Sequence, residues 1–150
     1  MIKYIVLVLV IFCLAFFIIT FISGVYKTRS VMNIYVNEIS AFVSCKTIYE
    51  AIDTYHKVHG QYPASLKTLG SSNSPYICED LAEGKRQGYR YVYEPTSLKF
   101  FVMASPLQFI TTGRFYFHIN ELKRITICDQ EGNCMTENQY LTYVKGLVKE

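Results

Sequence analysis

The chain has 150 residues, room for one compact domain and one anchor. Lys+Arg 15 against Asp+Glu 12 gives a net charge of +3. The cations Lys85, Arg86, Arg90, Lys123, Arg124, Lys145 and Lys149 stand in ones and twos, which excludes the basic stripe that a nucleic-acid partner requires.

Residues 4–23, YIVLVLVIFCLAFFIITFIS, carry no charge and reach the roughly 20 residues needed to cross about 30 Å of hydrocarbon as a helix. A transmembrane signal-anchor over 1–25 is expected. A cleavable signal would have a shorter apolar core and a small-residue cleavage site, and none follows. Lys3 stands on one side of the run and Lys27 and Arg29 on the other, so charge does not orient it.

Beyond the span, Val31, Ile34, Phe42, Cys45, Ile48, Tyr49, Ile52 and Tyr55 recur mostly three or four apart, the stripe of an amphipathic helix over 26–59. No proline interrupts residues 1–62, so span and stripe are expected to form one helix, with Gly24 its only soft point. The helix should stop at Gly60, since glycine closes a helix in the left-handed conformation at little cost. Pro63 then holds Tyr62 extended, and Ala64 or Ser65 opens a short helical turn through Leu69 and Gly70. Residues 71–87 are polar and punctuated by Ser, Asn and Pro, which reads as a loop with a turn of helix at 79–84.

Four strands are expected at 88–94, 99–105, 113–120 and 123–129, rich in aromatic and β-branched residues and joined by links short enough for an antiparallel meander. Tyr89, Tyr91 and Tyr93 share one face of the first. One face of the sheet should bury the helix stripe. Residues 130–150 should end in a short helix, with Thr136 its candidate N-cap and Tyr140, Leu141, Val144, Leu147 and Val148 at helical spacing. The fold class is therefore α+β.

Cys13 lies in the span, which leaves four cysteines beyond it. The short C-x5-C loop CDQEGNC points to Cys128 with Cys134, leaving Cys45 with Cys78; reduced structural thiols are the alternative. Two disulfides would imply an oxidising compartment. His56 and His59 could offer two metal ligands on one helix face, but the sequence places no third ligand nearby, and histidines at the negative end of a helix dipole explain them. His118 stands alone in a strand. Asp129, Glu131 and Asn133 could offer oxygens to calcium, although a charged hairpin tip closed by the cysteines accounts for them as well. There is no nucleophile elbow and no glycine-rich phosphate loop, so neither catalysis nor a cofactor is expected.

A long helix, half apolar and half amphipathic, then a loop, a small antiparallel sheet and a late cysteine loop, resembles the type IV pilins and type II secretion pseudopilins. YHKVHGQYPASLKTLG is similar to the helix exit of that family, and YRYVYEP, FFVMASP and TTGRFYFHINELKRI to the sheet of one pilin-like group. The chain departs from the family at its start: no acid precedes Glu38 and Gly24 follows the apolar run, so neither prepilin processing nor packing through an early glutamate carries over. The resemblance implies a non-enzymatic structural subunit of a pilus or secretion assembly. Its apolar helix would sit in the bacterial inner membrane and its head, residues 26–150, in the periplasm or outside the cell. Its partners would be the lipid bilayer and other pilin-like subunits, met through the helix face Ile34, Phe42, Ile48, Ile52 and Tyr55. A membrane-anchored binding or sensing module, holding a flat ligand on its tyrosine strand, is the alternative.

Overall fold

A computed structural model describes residues 2–71 and 74–147. Residues 72–73 of the expected loop, and Val148 of the expected terminal helix, lie outside the described residues. The chain divides after Asn33 into two units.

Helix α1 covers Ile2–His59 and runs unbroken through Gly24, as the absence of proline predicts. In the first unit every side chain from 12 to 26 is exposed, five of them phenylalanine or tyrosine. Among the described residues this is the one helix long and apolar enough to cross a membrane. So large a bare apolar surface is unfavourable in water and suits hydrocarbon.

In the second unit, Ile34 to His59 of α1 lies against the sheet. The helix stops where expected: Gly60 has φ +71 and its N–H donates to the His56 carbonyl at 2.8 Å. The Tyr62 ring then stacks on His56 at 4.4 Å and meets Phe100 edge-on, while the Tyr93 hydroxyl donates to the Pro63 carbonyl at 3.0 Å. Ser65 caps α2, Leu66–Gly70, its hydroxyl accepting from the Thr68 N–H. A single turn, α3 at Glu79–Ala82, follows.

The sheet has six strands in sequential order, all antiparallel: β1 Lys85–Arg86, β2 Tyr89–Pro95, β3 Phe100–Pro106, β4 Tyr116–Asn120, β5 Ile125–Cys128 and β6 Cys134–Thr136. The four expected strands are β2 to β5, with β4 starting three residues late. The two additions are edge strands of two and three residues, too short for alternation to register. β1 is made by a two-residue hairpin whose central residues, Gln87 and Gly88, both have positive φ, the geometry that matches strand twist. β6 pairs Cys134 with Cys128 directly across the ladder. Helix α4, Glu137–Leu147, follows it.

Registers align one inner row across four strands: Tyr93–Val102–Ile119–Ile125, and beside it Tyr91–Ala104–Phe117–Ile127. These rows bury against Ala41, Phe42, Cys45, Ile48 and Ile52 of α1 in one core. Burying each of the larger aliphatic or aromatic side chains is worth about 1.5–3 kcal/mol. α4 closes one flank, where Tyr140 inserts between Phe42 and Phe117 with ring centroids 5.5 and 5.4 Å away. Its start is a reciprocal cap: the Thr136 N–H donates to Gln139 Oε1 at 2.8 Å, and the Gln139 N–H donates to Thr136 Oγ1 at 3.5 Å.

The sheet thus has two distinct ends along α1. At one, Asn37 and Glu38 meet the β3–β4 connection through Thr112 and Arg114. At the other, Tyr49 and Glu50 meet the β4–β5 turn through Glu121 and Lys123.

Candidate functional site

The face of α1 expected to meet other subunits is spent inside the head. Ile34 and Phe42 are buried, Ile48 and Ile52 wholly so, and Tyr55 packs beside His59 and Tyr76. The apolar stripe is real, but the sheet is its partner, so it cannot contact another molecule without unfolding the head. Likewise Tyr89 and Tyr91 are buried under α1 rather than offered to a ligand. Burial raises the Tyr91 hydroxyl to about 12 and Tyr89 further still.

A second stripe survives on the solvent side of α1. Val36, Ile39 and Val43 are 50 %, 42 % and 53 % exposed and recur three and four apart. Met32, also exposed, continues that spacing in the first unit's sequence. From Thr47 the same side turns polar through Glu50, Thr54 and Lys57. An apolar a/d pattern of this kind is the seam by which helices pair. The amounts are modest: half-burying three such side chains contributes roughly 1 kcal/mol each. Free association costs an estimated 4–15 kcal/mol in lost motion, so the stripe can act only between molecules already confined together, as chains in one bilayer are.

The same helix carries a buried charge. Glu38 is 1 % exposed, and Arg114 grips its carboxylate three ways. The Arg114 backbone N–H donates to Oε1 at 2.7 Å, Nε to Oε1 at 3.0 Å and Nη2 to Oε2 at 3.0 Å. The guanidinium lies 4.5 Å over the Tyr35 ring, with Phe115 and Tyr143 alongside. The hydrogen bond to Glu38 raises the Arg114 pKa further above its ordinary value. This clasp fixes the register of α1 against the β3–β4 connection, and so fixes which side of α1 is left bare. Sequence reasoning passed it over. The available signal was Glu38 itself, an acid spaced four residues from both Ile34 and Phe42 in the buried stripe, where a charge must have a partner.

Of the two expected disulfides, Cys128–Cys134 is present and Cys45–Cys78 is not. Cys45 is wholly buried at the helix–sheet contact, where burial pushes its thiol up to about 12, and it serves as a small apolar filler. Cys78 is exposed at the start of α3, its sulfur accepting from Arg86 Nη1 at 3.3 Å. Pairing the leftover cysteines by elimination ignored that core packing accounts for one of them.

Asp129, Glu131 and Asn133 do come together, but on one another. Asp129 Oδ1 accepts from the N–H groups of Glu131 and Asn133, both at 2.9 Å, and Oδ2 from Asn133 Nδ2 at 2.9 Å. Those bonds, the Asn133 side chain's first, hold the Asp129 carboxyl below the usual range. The carboxylate therefore shapes the turn between β5 and β6. His56 stacks on Tyr62, and the His59 ring lies tilted against Tyr55 at 4.2 Å, so each ring is engaged separately. Among the described residues no three His, Cys, Asp or Glu side chains converge as metal ligands. A hollow of about 240 Å³ lies at the Tyr49 end of the sheet, lined by residues that include Glu94, Lys99, Phe100 and Glu121.

No protein-family model, curated protein or solved structure matches this chain.

Proposed function

We propose that the chain is a non-enzymatic, pilin-like structural subunit of a type IV pilus or type II secretion assembly. Its α1 span anchors it in the bacterial inner membrane, and its α+β head stands in the periplasm. The observation that carries the reading is the division of α1 into two apolar faces, one consumed by the head's own sheet and one left bare at helix-pairing spacing. A head that only needed to fold would be expected to make that second face polar, as α1 does from Thr47 onward. The assembly contact is therefore assigned to Val36, Ile39 and Val43 in place of the buried face.

The alternative, a ligand-binding module, has lost Tyr89 and Tyr91 of its tyrosine platform to the core, and the hollow near Phe100 is the opening left to argue for it among the described residues.

The reading is tested by placing a photo-crosslinking amino acid at Val36, Ile39 or Val43 in the full chain in its host membrane. Thr54 and Leu98 serve as controls. Adducts at the first three positions to chains that also carry an apolar span and an amphipathic helix support the reading. Lipid adducts alone, or protein adducts concentrated at Leu98, would reject it.

A further inference from the structure

The sheet has two faces, and the helices of the head cover one of them. Directly opposed residues of an antiparallel pair point the same way, so the row Val92, Met103, His118 and Thr126 lies on the outer face. Arg90 and Ser105 flank that row at one end, Glu94, Phe101 and Asn120 at the other. The described helices bury their side chains in the core on the opposite face. Val92, Phe101, Met103, Tyr116 and His118 are half-buried among their own neighbours, with the Phe101 ring 5.4 Å from that of His118. A sheet face left to solvent ordinarily alternates to polar residues. This one has an apolar and aromatic centre with its charges around the edge, the anatomy of a contact surface.

The pattern of those charges selects the occupant. Lys85 and Arg90 stand directly opposite each other in the β1–β2 ladder, a like-charge pairing that is destabilising by itself. Among the described residues no acid pairs with either, and Glu94, at the other end of β2, pairs with no cation although Lys99 lines the same hollow. At the far edge the signs are reversed: Arg124 lies at the Glu94 end of the sheet, and the Asp129–Glu131 turn at the Arg90 end. Signs therefore alternate around the rim, and such a surface complements a second copy of itself. A two-fold axis along the row from Val92 to Thr126 turns each Arg90 over the partner's Glu94, since both lie two residues from Val92. The same rotation carries Arg124 toward the partner's Glu131.

We propose that the outer face of the sheet pairs with the same face of a second copy of this chain, two-fold related about the Val92–Thr126 row, with Arg90 and Glu94 exchanged across the contact. The apolar centre, four strands wide and one Arg90-to-Glu94 length tall, measures about 14 Å by 14 Å from ladder spacing and rise. That is well short of the roughly 800 Å² per partner of a standard interface. The pair is therefore weak, forming where chains are concentrated in one membrane and lost on extraction. It goes beyond the assembly reading above, whose face is Val36, Ile39 and Val43, and takes from it only the anchorage.

A photo-crosslinking amino acid is placed at Met103, on the axis, in the full chain in its host membrane, beside a differently tagged copy of the same chain. Lys67, exposed on α2, is the control position. The expected result is adducts carrying both tags from Met103 and not from Lys67. Arg90 and Glu94 are exposed and make no ion pair within the head, so reversing them leaves the fold intact, as near-ultraviolet dichroism would confirm. The two-fold repeats every contact, so Arg90→Glu or Glu94→Arg alone disturbs two pairs and should cut the yield about fivefold. Combining the two reversals should restore it. No adduct at Met103, or equal yields at Met103 and Lys67, would overturn the proposal. Adducts from Met103 to a different protein or to lipid alone would overturn it in favour of that occupant. Yields that ignore the single reversals, or that the combined variant fails to restore, would overturn the two-fold pairing. In each of these cases the crosslinks from Val36 are read separately, so adducts retained there leave the assembly reading standing while the sheet contact fails.

Discussion

Replacing Glu38 with alanine should be among the most damaging single changes available in the head. The carboxylate is wholly buried and accepts three bonds from Arg114, including the backbone N–H of a strand connection. Removing one member of a buried pair costs about 3–5 kcal/mol, because the other charge is left without its partner. Here the Arg114 side chain is still 32 % exposed and can recover some hydration, so the low end, about 3 kcal/mol, is expected. That is a large share of the roughly 5–15 kcal/mol by which domains are stable. Urea unfolding of the full chain in detergent, followed by near-ultraviolet dichroism, measures the loss. A double-mutant cycle with Arg114→Ala isolates the pair and should return at least about 1.5 kcal/mol of coupling. Replacing both residues by Met and Leu should recover most of the stability, since apolar packing often matches a buried pair. Loss below about 1 kcal/mol for Glu38→Ala, or additive single effects, would refute the claim that this clasp fixes the helix register.

Two tyrosines offer an opposed pair of outcomes. Tyr89 donates to the Phe115 carbonyl at 3.0 Å, so Tyr89→Phe should cost about 1 kcal/mol, whereas the Tyr140 hydroxyl is buried without a hydrogen-bond partner and Tyr140→Phe should be neutral or stabilising by calorimetry. Burial lowers the His118 pKa, so the unfolded chain binds its proton first as pH falls. The stability this group contributes is complete above about pH 6.5 and is lost as pH falls through the window toward its folded value; His118→Gln should flatten that part of the urea-midpoint profile, and an unchanged slope would contradict the assignment. Reducing Cys128–Cys134 should remove about 2 kcal/mol, as a loop of this length predicts, and show as a fall in the urea midpoint with the helical content retained.

The fold was legible wherever one chemical signal acted over several residues. The uninterrupted apolar run, Gly60 and the alternation in 88–94 and 99–105 led to α1, its end and the central strands. Lys85–Arg86 and Cys134–Thr136 escaped notice because strands so short are made by their turns and neighbours. The candidate site was less legible, for a physical reason. Periodicity locates an apolar stripe but does not say what covers it, and the stripe with Ile48 and Ile52 turned out to face the chain's own sheet. Val36, Ile39 and Val43 lay in the sequence as a second, interleaved stripe that only burial separates from the first. Cys45 shows the same limit, since a thiol at a core position and a thiol awaiting a partner look alike in sequence.

The central claim, that the bare stripe of α1 joins this chain to others within a membrane, is tested most directly by charging that stripe alone. Val36→Lys with Val43→Lys should leave the urea midpoint of the head within the change of about 0.5 kcal/mol typical of surface sites. The same variant, extracted from its host membrane in mild detergent, should run on a native gel as a single chain where the unaltered protein runs in a larger complex. A complex that persists unchanged in the charged variant, or a head that unfolds because of it, would contradict the account.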